Sequence, residues 1–255
     1  MTLLEKITRS NIYLYLLSKY LYQNYLYIFF YEKEFRILKF IKNNNKVILD
    51  IGSNNGVSAR SIRLFNKKNK IISFEPNKLL KKKLLLTKKK INNFQFKLFG
   101  VLDKKKTINL FIPFFRGYCL DSLSSVKLSY VKDSVKRGVF QKNLMRKINI
   151  EKVLCDFKPI DNYEFNPFFI KIDTEGTEHL VILGLLKTIK KFKPILMIEK
   201  NNSNFYAMRK ILKITNYDIY SFRNNKLFKY SLNKAKHENL ICINKFNRGL
   251  TKTFF

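Results

Sequence analysis

Residues 47–59 read VILDIGSNNGVSA, and the order of residue types in this stretch decides the fold. An apolar run ends in Asp50, Gly52 and Gly56 follow, and a helical pattern, NGVSARSIRLF, opens at the second glycine. A short, nearly continuous apolar run of this kind is a strand buried on both faces. The glycines let the backbone turn tightly and approach a ligand without a Cβ in the way. The helix that follows offers free N–H groups at its start. A pyrophosphate-binding loop would read G-x-G-x-x-G. This one reads D-x-G-x-x-x-G, with Asn54 where the middle glycine would help.

The strand-end acid narrows the ligand. A carboxylate facing the loop repels pyrophosphate but accepts a hydrogen bond from an ammonium group, directly or through water. The methionine part of S-adenosylmethionine carries such an ammonium. Taken alone, the loop also fits a tight strand-to-helix turn that binds nothing. The next strand, KIISFEPN, ends in Glu75, about 20 residues beyond the glycines, where an acid accepts both hydroxyls of a ribose. Loop and acid together point to a nucleoside-bearing cofactor. The candidate cofactor residues are Asp50, Gly52, Ser53, Asn54, Gly56 and Glu75, with Val101 near the end of the third apolar run, FQFKLFGVL.

Working outward, strands alternate with helices along the chain. NKLLKKKLLLTKKKI is an amphipathic basic helix, KTINLFIP a short fourth strand, and FFIKID a clear later strand. TEGTEHLVILGLLKTIKKF is a helix, KPILMIEKN a strand, FYAMRKILKITNY a helix, and DIYSF, KLFKY and NLICIN short closing strands. Phe114 to Pro167 is the least regular section, with a strand near KINIEKVL. This alternation specifies an α/β fold, a mostly parallel central sheet with helices on both faces. Residues 1–42 read as an N-terminal helical extension, and 43–255 as the catalytic domain.

The motifs resemble those of the FkbM methyltransferases. DIGSNNG resembles that family's first motif and SFEPN its second; GVLDKKKTINLFIP with Ser122 and Leu123 is similar to its third-strand region and following hairpin. FFIKIDTEGTEHLVILG resembles its most specific motif, K-x-D-x-E-G-x-E, and KPILMIEKN and NLICIN its later strands. The resemblance covers roughly residues 43–245. It implies a Rossmann-like class I methyltransferase that uses S-adenosyl-L-methionine. It further implies O-methylation of a sugar, glycan or other small-molecule hydroxyl.

In an open parallel sheet, ligands bind beyond the carboxyl ends of the strands. Asp50, Glu75, Asp173 and Glu199 fall at such ends, and Glu175 just beyond. Ionised groups are costly to bury unpaired, so their gathering at one rim marks a site. Methyl transfer to a hydroxyl needs a base, or a metal that lowers the hydroxyl pKa. Asp173 is the first candidate base, Glu175 the next, and His179, one turn into a helix, the third. Asp173 and Glu199 are the candidate ligands should Mg²⁺ take part, since that ion favours carboxylate and water oxygens. Glu175 and Glu178 also suit the start of a helix electrostatically. Arg116 and Tyr118 are candidates to line the acceptor pocket, and His237, in the polar KAKHEN segment, is read as non-catalytic.

The formal charge is +33. Such a charge draws polyanions. Lys far exceeds Arg, Asn, Ile, Phe and Tyr abound, and Gly and Pro are scarce, a bias that AT-rich codons also produce. Weak, nonspecific, salt-sensitive binding to polyanions is the expectation. An RNA methyltransferase is the rival enzyme, although no N-P-P-[YF] motif or RNA-binding module occurs. A non-catalytic nucleoside-binding protein would show a damaged loop, and DIGSNNG is intact. Cys119, Cys155 and Cys242 are scattered without zinc spacing, as expected of a reducing, cytoplasmic setting. MTLLEKITRS lacks a signal-peptide pattern. The aromatic stretch Asn11–Tyr31 is interrupted by Lys19, Gln23 and Asn24, which disfavours a membrane span. It reads as a helix packed on the catalytic domain or as one lying peripherally on the inner face of a membrane.

Overall fold

Strand β1 (Val47–Ile51) and helix α2 (Val57–Phe65) are the elements that the opening motif specifies. They belong to a computed structural model that describes residues 12–41, 45–138, 147–231 and 239–247. Before them comes α1 (Ile12–Asn24). After them run β2 (Lys70–Phe74), α3 (Lys81–Lys90), β3 (Phe94–Lys97), β4 (Gly100–Val101), β5 (Lys106–Phe115) and β6 (Tyr118–Cys119). Then follow α4 (Leu128–Gly138), β7 (Ile148–Lys158), β8 (Pro167–Ile172), α5 (Glu178–Gly184), α6 (Leu186–Phe192) and β9 (Ile195–Glu199). The chain closes with α7 (Phe205–Ile214), β10 (Tyr217–Arg223), β11 (Lys226–Lys229) and β12 (Asn239–Asn244). His237 and the opening MTLLEKITRS lie outside the described residues.

The chain forms two compact units, Met1–Phe30 with Thr107–Cys155, and Tyr31–Lys106 with Asp156–Phe255. This differs from the expected boundary after residue 42. Phe35, Ile37, Leu38 and Ile41 are buried in the larger unit's core, so the segment from Tyr31 onward belongs to that unit.

The larger unit holds an eight-stranded sheet in the order β11-β10-β12-β9-β8-β1-β2-β3. β3, β2, β1, β8 and β9 run parallel, and β12, β10 and β11 add antiparallel pairs at one edge. Alternate residues of the central strands face two cores. Ile48, Phe169 and Met197 face one, packed by Ala59, Ile62 and Leu84. Leu49, Ile170 and Leu196 face the other, packed by Val181, Ile189 and Met208. Burial on both faces explains why these strands read as unbroken apolar runs. From β1 the chain steps outward to β2 and β3, then returns to β8 on the other side of β1. The loops after β1 and β8 therefore diverge, and an open α/β sheet binds ligands at such a switch point.

Three readings need correction. FQFKLFGVL is not one strand: it breaks after Lys97, and Gly100 and Val101 pair with Phe157 and Lys158 of β7. The Phe157 ring would lie 2.2 Å from a Cβ at Gly100, so only glycine permits that pairing. KTINLFIP is not short, because β5 runs for 10 residues. The helix after the second acidic motif is two helices. The carbonyl of Gly184 accepts the N–H of Ile160, and the Gly184 α-carbon abuts the Leu102 carbonyl too closely for a side chain.

In the smaller unit, β5 lies between β7 and β6. Arg116 and Gly117, at φ +46° and +81°, make the two-residue turn from β5 to β6. Phe115, Leu120, Val131 and Val135 form this unit's core, against which Tyr15 and Leu16 of α1 pack.

Candidate active site

The loop after β1 is shaped by its two glycines. Gly52 has φ +78°, and a Cβ there would lie 1.7 Å from the carbonyl oxygen of Asp173. Gly56 has φ +83°, with the Thr87 hydroxyl 2.7 Å from where its Cβ would be. The absent side chain at Gly52 brings the two rim loops together, and that at Gly56 lets the loop close on α3.

Asp50 is fully buried. Its Oδ2 accepts the Ser58 and Ser73 hydroxyls, each at 2.8 Å. Lys171 Nζ lies 3.6 Å from its Oδ1. The same Nζ donates to the Gly52 carbonyl at 3.1 Å and pairs with Asp173 Oδ2 at 3.0 Å. Burial alone would favour the neutral amine of Lys171, but Asp173, Asp50 and Glu32 outweigh it and hold its pKa above the usual lysine range. Asp50 therefore braces the loop through Oδ2, while its buried Oδ1 has no hydrogen-bond partner. Glu75 Oε2 accepts the Asn54 N–H and Oε1 the Asn77 N–H, both at 2.8 Å. Each of these oxygens has a second lone pair. Ser53 and Asn54 lie in the loop itself, and Asn54 adopts φ +49°. Val101 is buried in the core beside Phe74, where the sequence placed it among the cofactor residues.

The loop after β8 is folded by Glu178. This carboxylate is fully buried. Its Oε1 accepts the Thr174 N–H at 3.1 Å, the Thr174 hydroxyl at 3.2 Å and the Gly176 N–H at 3.0 Å. Its Oε2 accepts the Asn204 amide. Glu175, at φ +53°, is thereby turned toward Asp173 and Glu199, and one carboxylate oxygen from each of the three lies within 4.8 Å of the others. All three are half-buried. Burial and the negative charges of Asp173 and Glu175 hold the Glu199 carboxyl far above the usual carboxylate range. His179, the second residue of α5, is half-buried and not a member of this oxygen cluster. Arg116 and Tyr118 are exposed on the hairpin turn of the smaller unit.

Two residues were missed by the sequence reading. Lys171 was legible as the one charge inside the apolar strand FFIKI. Glu32 gave no such signal. Its Oε2 accepts the Asn239 amide at 3.1 Å, and Asn239 stands opposite Glu199 in the β12–β9 ladder. Burial raises its pKa from 4.5 to about 7, opposed by Lys171 and reinforced by Asp173.

This sheet order, with a glycine loop and acids at the switch point, defines a Rossmann-like methyltransferase fold. The chain belongs to the FkbM methyltransferase family, whose methyltransferase domain model matches residues 50–219. Among solved structures, methyltransferase FkbM from Methylobacillus flagellatus KT is similar at 17% identity and TM-score 0.51, over 83% of this chain and 48% of that one. This chain thus spans about half the length of that protein. A precorrin-6y C5,15-methyltransferase from Geobacter metallireducens GS-15 matches at 10% identity and TM-score 0.41, over 84% and 89% of the two chains. An rRNA methylase from Streptococcus thermophilus matches at 10% identity and TM-score 0.42, over 82% and 91%. No curated protein matches the chain.

Proposed function

We propose that the chain transfers the methyl group of S-adenosyl-L-methionine to a hydroxyl oxygen of a sugar, glycan or related small molecule. The observation that carries this reading is the cluster of Asp173, Glu175 and Glu199 at the rim beside the Gly52 loop. The loop suits the cofactor. Ser53 Oγ and Asn54 Oδ1 are buried there with no hydrogen-bond partner, and Glu75, the acid just after β2, is fixed beside them through the Asn54 N–H. Bound there, S-adenosylmethionine supplies an electrophilic methyl on a sulfonium.

The protein's part is to position the acceptor and take its proton. When the acceptor hydroxyl took up the methyl group, the carboxylate cluster would receive its proton. Lys171 orients Asp173 through its 3.0 Å contact. The same three oxygens are the donors a Mg²⁺ ion would take, and the ion would then lower the hydroxyl pKa.

The test uses labelled S-adenosylmethionine, the purified chain, and glycan, lipid, RNA and small-molecule fractions. Label is expected in the glycan or small-molecule fraction, with turnover reduced at least about 100-fold in Asp173→Asn. Calorimetry should show cofactor binding by the wild type that weakens in Glu75→Ala and holds in Asp173→Asn. Label confined to RNA overturns the acceptor class, and absence of cofactor binding overturns the reading. Turnover unchanged by EDTA would remove Mg²⁺ from the chemistry.

A further inference from the structure

We propose that α1 and the turn after it form an interfacial patch that docks the smaller unit on an anionic lipid bilayer. The helix is inverted with respect to ordinary surface amphipathicity. Its one charged residue, Lys19, points into the protein, where it pairs with the fully buried carboxylate of Asp121 and approaches the Cys119 carbonyl. Tyr15 and Leu16 face the unit's core. The opposite face is apolar and open: Tyr13, Leu14, Leu17, Tyr20 and Leu21 are 37–56% exposed. The following turn adds Phe29 and Phe30, at 76% and 65%.

A surface helix normally turns its charges outward. A contiguous exposed aromatic and aliphatic face marks an interaction site. Two observations select a bilayer as the occupant. Four of these side chains are aromatic, and tyrosine suits the boundary between headgroups and acyl chains, with an apolar ring and a wet hydroxyl. A cation borders the patch, since Arg116 donates to the Tyr13 hydroxyl at 2.7 Å beside the exposed face, and the chain as a whole carries +33. Anionic headgroups complement that charge. Among the described residues no helix is long and apolar enough to cross a membrane, and the docking proposed has α1 lying in the interface plane.

This inference does not depend on the proposed reaction. Co-sedimentation is measured with phosphatidylcholine vesicles, with and without phosphatidylglycerol. Wild type should bind the phosphatidylglycerol vesicles well above the neutral ones. Leu17→Ser with Leu21→Ser should weaken that binding about tenfold or more, as loss of two inserted side chains requires. Phe29→Ser with Phe30→Ser, in a different local structure, should act in the same direction, and circular dichroism reports whether each variant is folded. Three results overturn the proposal: no binding to either vesicle; folded variants that bind as wild type does, which reduces the contact to charge; or wild-type dimers that become monomers in the variants with vesicle binding intact, which assigns the patch to a second copy.

Discussion

Two sets of carboxylates stand at the same sheet rim and are treated in opposite ways. Asp50, Glu75 and Glu178 are buried, and each is met by donors: two serines and Lys171 for Asp50, two backbone N–H groups for Glu75, and backbone, hydroxyl and amide donors for Glu178. Asp173, Glu175 and Glu199 face one another instead, with Lys171 as the cation in contact with Asp173. A buried charge met by donors rigidifies the fold, whereas crowded like charges oppose it and raise proton affinity. The first set builds the loops. In the second, burial and the neighbouring negative charges raise the proton affinity of Glu199, and groups perturbed in this way cluster where chemistry is done. Removing a member of each set should therefore move stability in opposite directions.

The largest effect should follow Glu178→Ala. Thr174 N–H, Gly176 N–H and the Asn204 amide would lose their acceptor together, costing about 3–5 kcal/mol of stability. Denaturant unfolding measures it, and a loss near zero would break the distinction. Glu199→Gln should do the reverse. The folded-state pKa of Glu199 lies above its ordinary 4.5, so folding is opposed wherever the unfolded chain ionises this group, at pH above 4.5. The amide lifts that opposition, giving a gain on the order of 2 kcal/mol near neutral pH that fades as pH falls toward 4.5. The same substitution should lower turnover at least about tenfold while cofactor affinity holds. A destabilised Glu199→Gln would place Glu199 in the structural set.

The sequence showed the first set better than the second. VILDIG and SFEP each couple an apolar strand to its terminal acid, so Asp50 and Glu75 were legible at the strand ends. Their partners were less so. Ser58 and Ser73 are ordinary residues until a helix and a neighbouring strand bring them to one carboxylate. Asp173 and Glu199 could be placed at one rim, but their approach to Glu175 depends on a left-handed residue and on Glu178 bonding back to the loop. The parallel sheet was readable because buried strands and basic helices differ in period. The boundary between the units was not, since contact and not composition separates Phe30 from Tyr31. FQFKLFGVL read as one strand because an apolar run carries no mark where one ladder ends and another begins.

Glu32 lies between the two sets and gives the finest test of the contrast. It is hydrogen-bonded by Asn239, as the structural carboxylates are, yet its pKa is raised, as in the crowded set. Burial is the main cause, Lys171 opposes it, and Asp173, Glu34 and Asp50 add to it. Because the folded-state value of about 7 exceeds 4.5, the folded protein binds the proton more tightly than the unfolded chain does. Below pH 4.5 the residue is neutral in both states and costs nothing; from 4.5 to about 7 its opposition to folding grows, and above that it is constant. Glu32→Gln keeps an oxygen for the Asn239 amide and removes the charge. The variant should match wild type in acid and gain about 1 kcal/mol above pH 7, an allowance that reflects the residue's partial exposure. Thermal unfolding across that range reads the difference. A constant offset at every pH would mean that the Asn239 bond, and not the ionisation, is what the side chain contributes. A loss that grows as pH rises would mean that ionised Glu32 is a net partner of Lys171 and belongs with Asp50 in the bracing set.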